Sequence, residues 1–311
     1  MAQKIAIVNN KGGSTKTTTT VNIAGAIHRR APQARILVAD GDGQGNSGRS
    51  FKVNPNKIEN TIYEVFMGES DPEDVIFPEV YDHIDLLPAN SDMNFFEFDK
   101  MLDYEEDFKQ GTYNLIKRLA EENVDIKNLT YEEWEGLIPS NISITNNYFN
   151  LLEGKFDKID EMYDFILFDT PPEVKSVTSS ILSIADQVII PFEPDIYSVD
   201  GIVNIMDRIK IIQKDYNPNL KIAGLLPVKV NTRTNLHNEV QAKVFRYASL
   251  NNIPFFGVFI PMTIKFANST AHKGLPATLS TTATANKDKM VQSYFDLLDE
   301  MVSKKVINLE V

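Results

Sequence analysis

The chain has 311 residues, 42% of them apolar, and a net charge of −12, which suits one large α/β domain or one domain with an insertion. It carries no cysteine, which excludes disulfides, thiolate metal sites and cysteine-ligated iron–sulfur clusters. The absence of an N-terminal hydrophobic run and of any apolar stretch of about 20 residues argues against secretion and membrane spanning, so a cytoplasmic location is expected; the four histidines lack metal-ligand spacing.

Lys4-Ile5-Ala6-Ile7-Val8 is predicted to form a strand and Thr19 to Arg30 a helix. Between them lies Lys11-Gly12-Gly13-Ser14-Thr15-Lys16-Thr17-Thr18. A glycine-bearing turn between a strand and a helix points backbone N–H groups and the positive end of the helix dipole at one spot, which suits phosphate. Lys16 adds a point charge for β- and γ-phosphates, and Thr17 a hydroxyl for Mg²⁺. The ordinary phosphate loop G-x-x-x-x-G-K-[ST] fails at both glycines, because those positions hold Asn10 and Thr15. What stands is K-G-G-x-x-K-[ST], which on its own is also compatible with a turn that caps a helix.

Further short apolar runs fall at 35–39, 84–87, 163–168, 187–192, 221–226 and 255–260, with helical patterns between most of them. Continuous apolar strands with helical crossovers predict an α/β fold: a doubly wound, mostly parallel sheet with helices on both faces. Ligands of such sheets bind at the carboxyl ends of the strands. The run at 35–39 leads into Asp40-Gly41-Asp42-Gly43-Gln44-Gly45-Asn46, with two carboxylates spaced to approach one metal or water site. The run at 163–168 ends in Asp169-Thr170-Pro171-Pro172, and an aspartate after an apolar strand can accept hydrogen bonds from Mg²⁺-bound water. The run at 187–192 ends in Pro191-Phe192-Glu193-Pro194. Each aspartate alone is equally a turn or cap residue; three acidic strand ends beside a phosphate loop are read together as one site.

Residues 92–162 interrupt the rhythm. They hold 17 acidic and 7 basic residues, are helix-patterned, and contain Thr130-Tyr131-Glu132-Glu133, a capping-box sequence. An acidic helical insertion within a single domain over 1–311 is expected, serving a partner, dimer contacts or only the covering of the sheet. Residues 220–290 hold 9 basic and 2 acidic residues. Such asymmetry fits a DNA-facing surface with a separate acidic one, or two solvated faces.

Taken together, K-G-G-x-x-K-T-T, the loop Asp40, Asp42, Gln44, Asn46, the sequence Phe168-Asp169-Thr170-Pro171-Pro172 and the late Gly274-x-Pro276 resemble the ParA-type partition ATPases of the deviant Walker family, which also holds MinD-like and nitrogenase-reductase-like proteins. The resemblance runs from about residue 3 to about residue 280 and is weakest over 92–162. It implies a P-loop NTPase-like fold, ATP and Mg²⁺ as cofactors, and a slow, partner-stimulated ATPase acting in plasmid or chromosome segregation. It implies an ATP-sandwich homodimer in which Lys11 reaches the nucleotide of the other subunit, much as an arginine finger supplies charge in trans. Lys16 then binds phosphate, Thr17 ligates Mg²⁺, Asp42 positions or activates water, and Asp40 and Asp169 support the metal and its waters. The segment Lys229-Val230-Asn231-Thr232-Arg233 resembles the base-recognition region, with Asn231 facing adenine or serving only as a loop-packing residue. Arg233, Lys243, Arg246, Lys265 and Lys273 are candidates for non-specific DNA contacts through phosphates. A ParB-like or other centromere-binding adaptor and association with the nucleoid follow from the same resemblance, while the residues themselves predict no membrane association.

Departures from the pattern are informative. Ser14-Thr15 stands where the family has Val-Gly or Ser-Gly, so a positive φ at 15 would strain threonine by about 1–3 kcal/mol and weaken nucleotide binding. Gly43 replaces the usual proline and predicts a looser switch loop. Strand one begins at the start of the chain, so neither the helix-turn-helix extension of larger partition ATPases nor sequence-specific autoregulatory DNA binding is expected. Zero cysteines exclude an iron–sulfur electron carrier. Two alternatives stay open: a MinD-like membrane switch and a nucleotide-dependent scaffold with crippled hydrolysis. The first needs a basic amphipathic C-terminal helix. Residues 290–302 instead carry Asp296, Asp299 and Glu300 on their polar face, which fits core packing better than anionic lipid.

Overall fold

The computed structural model describes residues 1–13, 15–138, 148–280 and 288–310; Ser14, expected in the phosphate turn, lies outside them, as does part of the 92–162 segment. Among the described residues seven strands form one sheet: β1 Gln3–Ile7, β2 Ile36–Asp40, β3 Phe77–Tyr81, β4 Ile84–Leu87, β5 Phe165–Asp169, β6 Gln187–Phe192 and β7 Lys221–Pro227. Their order is β3-β4-β2-β5-β1-β6-β7, with every pair parallel except β3–β4. The parallel strands are buried on both faces, β2 and β5 at all five residues, as their unbroken apolar runs require.

The α-helices among the described residues are α1 Lys16–Arg30, α2 Asn46–Arg49, α3 Ile62–Met67, α4 Pro72–Val75, α5 Phe96–Glu121, α6 Tyr131–Leu137, α7 Ile159–Met162, α8 Ser176–Ile184, α9 Ser198–Asp215, α10 Asn235–Leu250, α11 Lys265–Asn268 and α12 Lys289–Ser303. Thr130 opens α6 with the capping box its sequence announces: its hydroxyl accepts from Glu133 N–H, and the Glu133 carboxylate accepts from Thr130 N–H. The apolar side of α12 is core. Tyr294, Leu297, Leu298 and Met301 are fully buried in one cluster with Ile23 and Ile27 of α1 and Ile5 and Ile7 of β1, and the Tyr294 hydroxyl lies 3.3 Å from that of Thr19.

One expected strand is corrected and one unexpected strand is found. Residues 255–260 are not a ladder strand, since Phe255 and Pro261 make only isolated bridges to Leu225 and Val230. Proline at 254 and 261 removes two donors and Gly257 weakens what lies between. An antiparallel edge strand, β3, appears instead at Phe77–Tyr81, with Phe77, Pro78 and Glu79 exposed; proline is tolerated there because an edge strand needs fewer ladder donors.

Residues 1–93 and 149–311 form one compact unit, and 94–148 form a second. The parallel sheet and all strand ends belong to the first.

Candidate active site

The order of the strands places β1 between β5 and β6, with β2 on the far side of β5. In register, Ile7 of β1 pairs with Asp169 of β5, and Asp169 with Asp40 of β2. The turn after β1 and the two strand-end aspartates are therefore gathered at one edge, outside the carboxyl ends of the strands.

The turn itself is tightly constrained. Gly13 has φ 73° and Thr15 φ 64°, a left-handed pair on either side of residue 14. Glycine adopts that conformation freely, whereas threonine is strained there by about 1–3 kcal/mol. The Thr15 hydroxyl is buried without a hydrogen-bond partner among the described residues. Thr15 is also the N-terminal flanking residue of α1 and makes no side-chain cap, so the first-turn N–H groups of the helix are left for a ligand. Lys16 opens α1 and is only 7% exposed, its Nζ 3.5 Å from the Lys11 carbonyl. Burial pulls its pKa down, against the charges of Asp169 and Asp42, which raise it.

The aspartates form a buried network that includes a residue not anticipated from the sequence. Ser47, in the first turn of α2, donates its N–H to Asp40 Oδ2 at 2.9 Å and its hydroxyl to Asp169 Oδ2 at 2.9 Å. The N–H of Asp42 reaches the other oxygen of Asp40 at 3.0 Å. Asp40 and Asp169 are both fully buried. Burial, then the charge of Asp169, raises Asp40 well above the ordinary carboxylate range. Burial pushes Asp169 up to about 6, although the Thr17 and Ser47 hydroxyls and the Lys16 charge pull it down. Asp169 Oδ1 is buried and meets no hydrogen-bond partner of good geometry. Asp42 is half-buried, and its Oδ1 accepts the Gln44 N–H at 3.0 Å. At Gly45, φ is 60° and a Cβ would lie 2.5 Å from Pro55, so only glycine fits this bend of the loop.

Lys11 stands apart from the buried network. Its side chain is 51% exposed and ion-paired with Asp195, on the loop between β6 and α9. That hydrogen bond raises the lysine above its usual value despite partial burial. Lys11 and Asp195 share the lining of a cavity of about 390 Å³ with Asn9, Asn10, Glu193 and Ser198. A second lysine approaches the turn: Lys229 adopts φ 51°, and its Nζ lies 3.4 Å from Glu193 and 3.9 Å from where a Cβ on Gly13 would sit. Sequence reasoning does not single out Asp195 and gives Lys229 only as the first residue of the segment around Asn231; the signal for both is a position just past the ends of β6 and β7.

Asn231 lines another cavity of about 650 Å³ with Arg233, Phe259, Met262, Lys289 and Ser293. Its side-chain oxygen accepts the Arg233 N–H at 3.1 Å. The basic candidates divide into two sets. Lys243 and Arg246 project from α10, exposed. Lys265 is tied to Asp288 at 2.6 Å and Lys273 to the Ser280 carbonyl at 3.2 Å.

Among the described residues no three histidine or carboxylate side chains cluster to hold a metal. Transition-metal sites need such clusters; Mg²⁺ typically takes one or two carboxylates and completes its shell with water and phosphate.

Among known proteins, the model of the AAA domain family matches residues 2–128 and 109–222. A ParA family protein of Mycoplasma pneumoniae is 32% identical over 314 residues, covering 98% of this chain and 97% of that protein. The sporulation initiation inhibitor protein Soj of Bacillus subtilis is 23% identical, covering 97% and 99%. Among solved structures, cobyrinic acid a,c-diamide synthase from Mycobacterium smegmatis, with bound ATP analog and magnesium, superimposes with a TM-score of 0.68 at 22% identity, over 97% of this chain and 95% of that one. A putative plasmid partition protein from Borrelia burgdorferi bound to AMPPNP does so at 0.66 and 19%, over 98% and 100%. At those identities the superpositions establish the P-loop NTPase-like fold alone. Family membership rests on the nearly full-length sequence match: the chain belongs to the ParA family.

Proposed function

We propose that this chain is an ATP-dependent partition ATPase that dimerises on ATP, binds DNA without sequence preference and is stimulated by a centromere-binding adaptor. The observation that carries the proposal is Asp169. A buried strand-end carboxylate with one oxygen lacking a regular partner stands beside Lys16, Thr17 and an uncapped helix start. The backbone of Gly12, Gly13, Thr15, Thr17 and Thr18 cradles the phosphates, and Lys16 neutralises them. Thr17, Asp169 and Asp42 are the groups to hold Mg²⁺, which when bound neutralises phosphate charge. Asp40 holds Asp42 and Ser47 in place through their N–H groups. Asp42 orients the attacking water, and Lys11 supplies charge to the nucleotide of a second subunit. Asn231 presents its amide NH₂ to the base in the 650 Å³ cavity.

Several points bear on the alternatives. The apolar face of α12 is consumed by the core, which disfavours a membrane-switch role for it. The strained Thr15 favours slow turnover, and a non-hydrolysing scaffold is its extreme. The chromosome partitioning proteins ParA among the relatives agree with partition.

Sedimentation and phosphate release with ADP, ATP and DNA, wild type against Lys11→Ala, test the proposal. The variant is expected to bind nucleotide while losing ATP-dependent dimerisation and DNA retention. An ATP-dependent Lys11→Ala dimer as stable as wild type overturns the trans role.

A further inference from the structure

The second compact unit contains a 26-residue helix, α5, whose outward side is unusual. Leu115 and Leu119 are buried, yet Phe98 (57%), Met101, Leu102, Tyr113 (63%) and Ile116 are exposed. At 100° per residue, Phe98, Leu102, Glu105, Lys109, Tyr113 and Ile116 fall on one stripe of the helix. Its two ends are apolar, and its middle is the Glu105–Lys109 ion pair. Large exposed apolar stripes on a helix mark contact surfaces.

The stripe has an internal two-fold order. Phe98 and Ile116 lie equally far from the midpoint of the stripe at residue 107, and so do Glu105 and Lys109; Leu102 and Tyr113 do so to within one residue. Laid antiparallel on a second copy of itself, the helix sets Phe98 against Ile116, Leu102 beside Tyr113, and Glu105 against Lys109. The charges of the whole helix agree. Phe96–Asp107 carries six carboxylates and one lysine, whereas Phe108–Glu121 carries three cationic side chains and one carboxylate. An antiparallel pair brings the acidic half of each helix to the basic half of the other and aligns their dipoles favourably, while a parallel pair stacks like on like. A surface complementary to itself about a two-fold axis is the signature of an isologous contact.

We propose that α5 is a self-association face, through which two copies of this chain pair by antiparallel packing of their α5 helices without nucleotide. This contact does not involve the phosphate turn or Lys11, so it stands or falls separately from the ATP-dependent dimer.

The test uses the full chain free of nucleotide. Sedimentation equilibrium is expected to show a reversible dimer. Glu105→Lys, which leaves two cations at the centre of the stripe, is expected to weaken it about tenfold or more, and Glu105→Lys combined with Lys109→Glu to restore it. Because the chain has no cysteine, disulfide trapping reads the orientation. The double variant Phe98→Cys, Ile116→Cys is expected to form covalent dimers. Within one helix those positions are about 27 Å apart, so neither can close on its own helix. Phe98→Cys alone is expected to remain monomeric in a denaturing gel. A nucleotide-free monomer at every concentration, failure of the charge swap to restore pairing, or cross-linking of Phe98→Cys to itself would each overturn the proposal; the first would leave the stripe to a protein of different sequence.

Discussion

Lys11 is ion-paired with Asp195 of its own chain, although the role proposed for it lies in a second subunit. The lysine therefore starts from a cis contact that must break before it can reach a partner's nucleotide. Asp195 is kept below the ordinary carboxylate range: burial pushes it up, but the Lys11 hydrogen bond and the Tyr197 N–H prevail. Since the Lys11 side chain is half exposed, the pair is expected to stabilise by no more than about 0.2–1 kcal/mol. Asp195→Asn is accordingly predicted to lower the ATP concentration needed for dimerisation, by up to about fivefold. Sedimentation across an ATP series checks this; an unchanged or higher requirement would mean that Asp195 assists the dimer.

Thr15 is the next point of stress. It holds φ 64°, and its buried hydroxyl lacks a partner among the described residues. Thr15→Gly removes both penalties while adding some unfolded-chain entropy. We expect the variant to bind ATP about tenfold more tightly, the equivalent of about 1.4 kcal/mol, with a thermal midpoint at or above that of wild type. Calorimetric titration decides it, and equal affinities would show that the turn relaxes at no cost to binding.

The buried aspartates predict a pH dependence with a definite sign. Asp169 titrates near 6 in the folded chain and near about 3.9 when unfolded, so between these values the folded state holds a proton that the unfolded state has released. Its contribution to stability is fully present below about pH 4 and is lost as pH rises through 6, amounting to roughly 1–3 kcal/mol. Mg²⁺ and nucleotide binding run the other way, strengthening from about pH 5 to about 7.5 as the carboxylate ionises. Thermal melts of wild type and Asp169→Asn at those pH values, without nucleotide, should show the slope attributable to this residue only in wild type.

Much of this site is legible in the sequence because it is local. The phosphate turn, Asp40 and Asp169 each sit at the end of a short apolar run, and parallel pairing brings such ends together whatever their separation along the chain. The contacts that sequence spacing does not disclose are those made through tertiary packing. Ser47 reaches Asp169 from 122 residues away, and Lys11 meets Asp195 184 residues away. The run at 255–260 reads as a strand because hydropathy does not register the missing donors of Pro254 and Pro261. Phe77–Tyr81 does not, because an exposed edge needs no apolar run.

The DNA-facing candidates lead to the last prediction. In the sequence all five basic residues share only their charge, but Lys265 and Lys273 already have intramolecular partners at Asp288 and the Ser280 carbonyl. A phosphate contact from either must first replace an existing hydrogen bond, whereas Lys243 and Arg246 stand exposed on α10. Substituting Lys243 and Arg246 by glutamate is therefore expected to cost more ATP-dependent DNA affinity than the same change at Lys265 and Lys273. The slope of log affinity against log salt should also fall by about 0.9 for each phosphate no longer engaged. Filter binding with duplexes of unrelated sequence, across a salt series, measures both quantities. Phosphate contacts carry no sequence information, so the weakening should be the same for every duplex. Equal effects from the two pairs would mean that the Lys265–Asp288 bond opens at no cost on DNA, and an unchanged slope in the α10 variant would move the DNA face elsewhere.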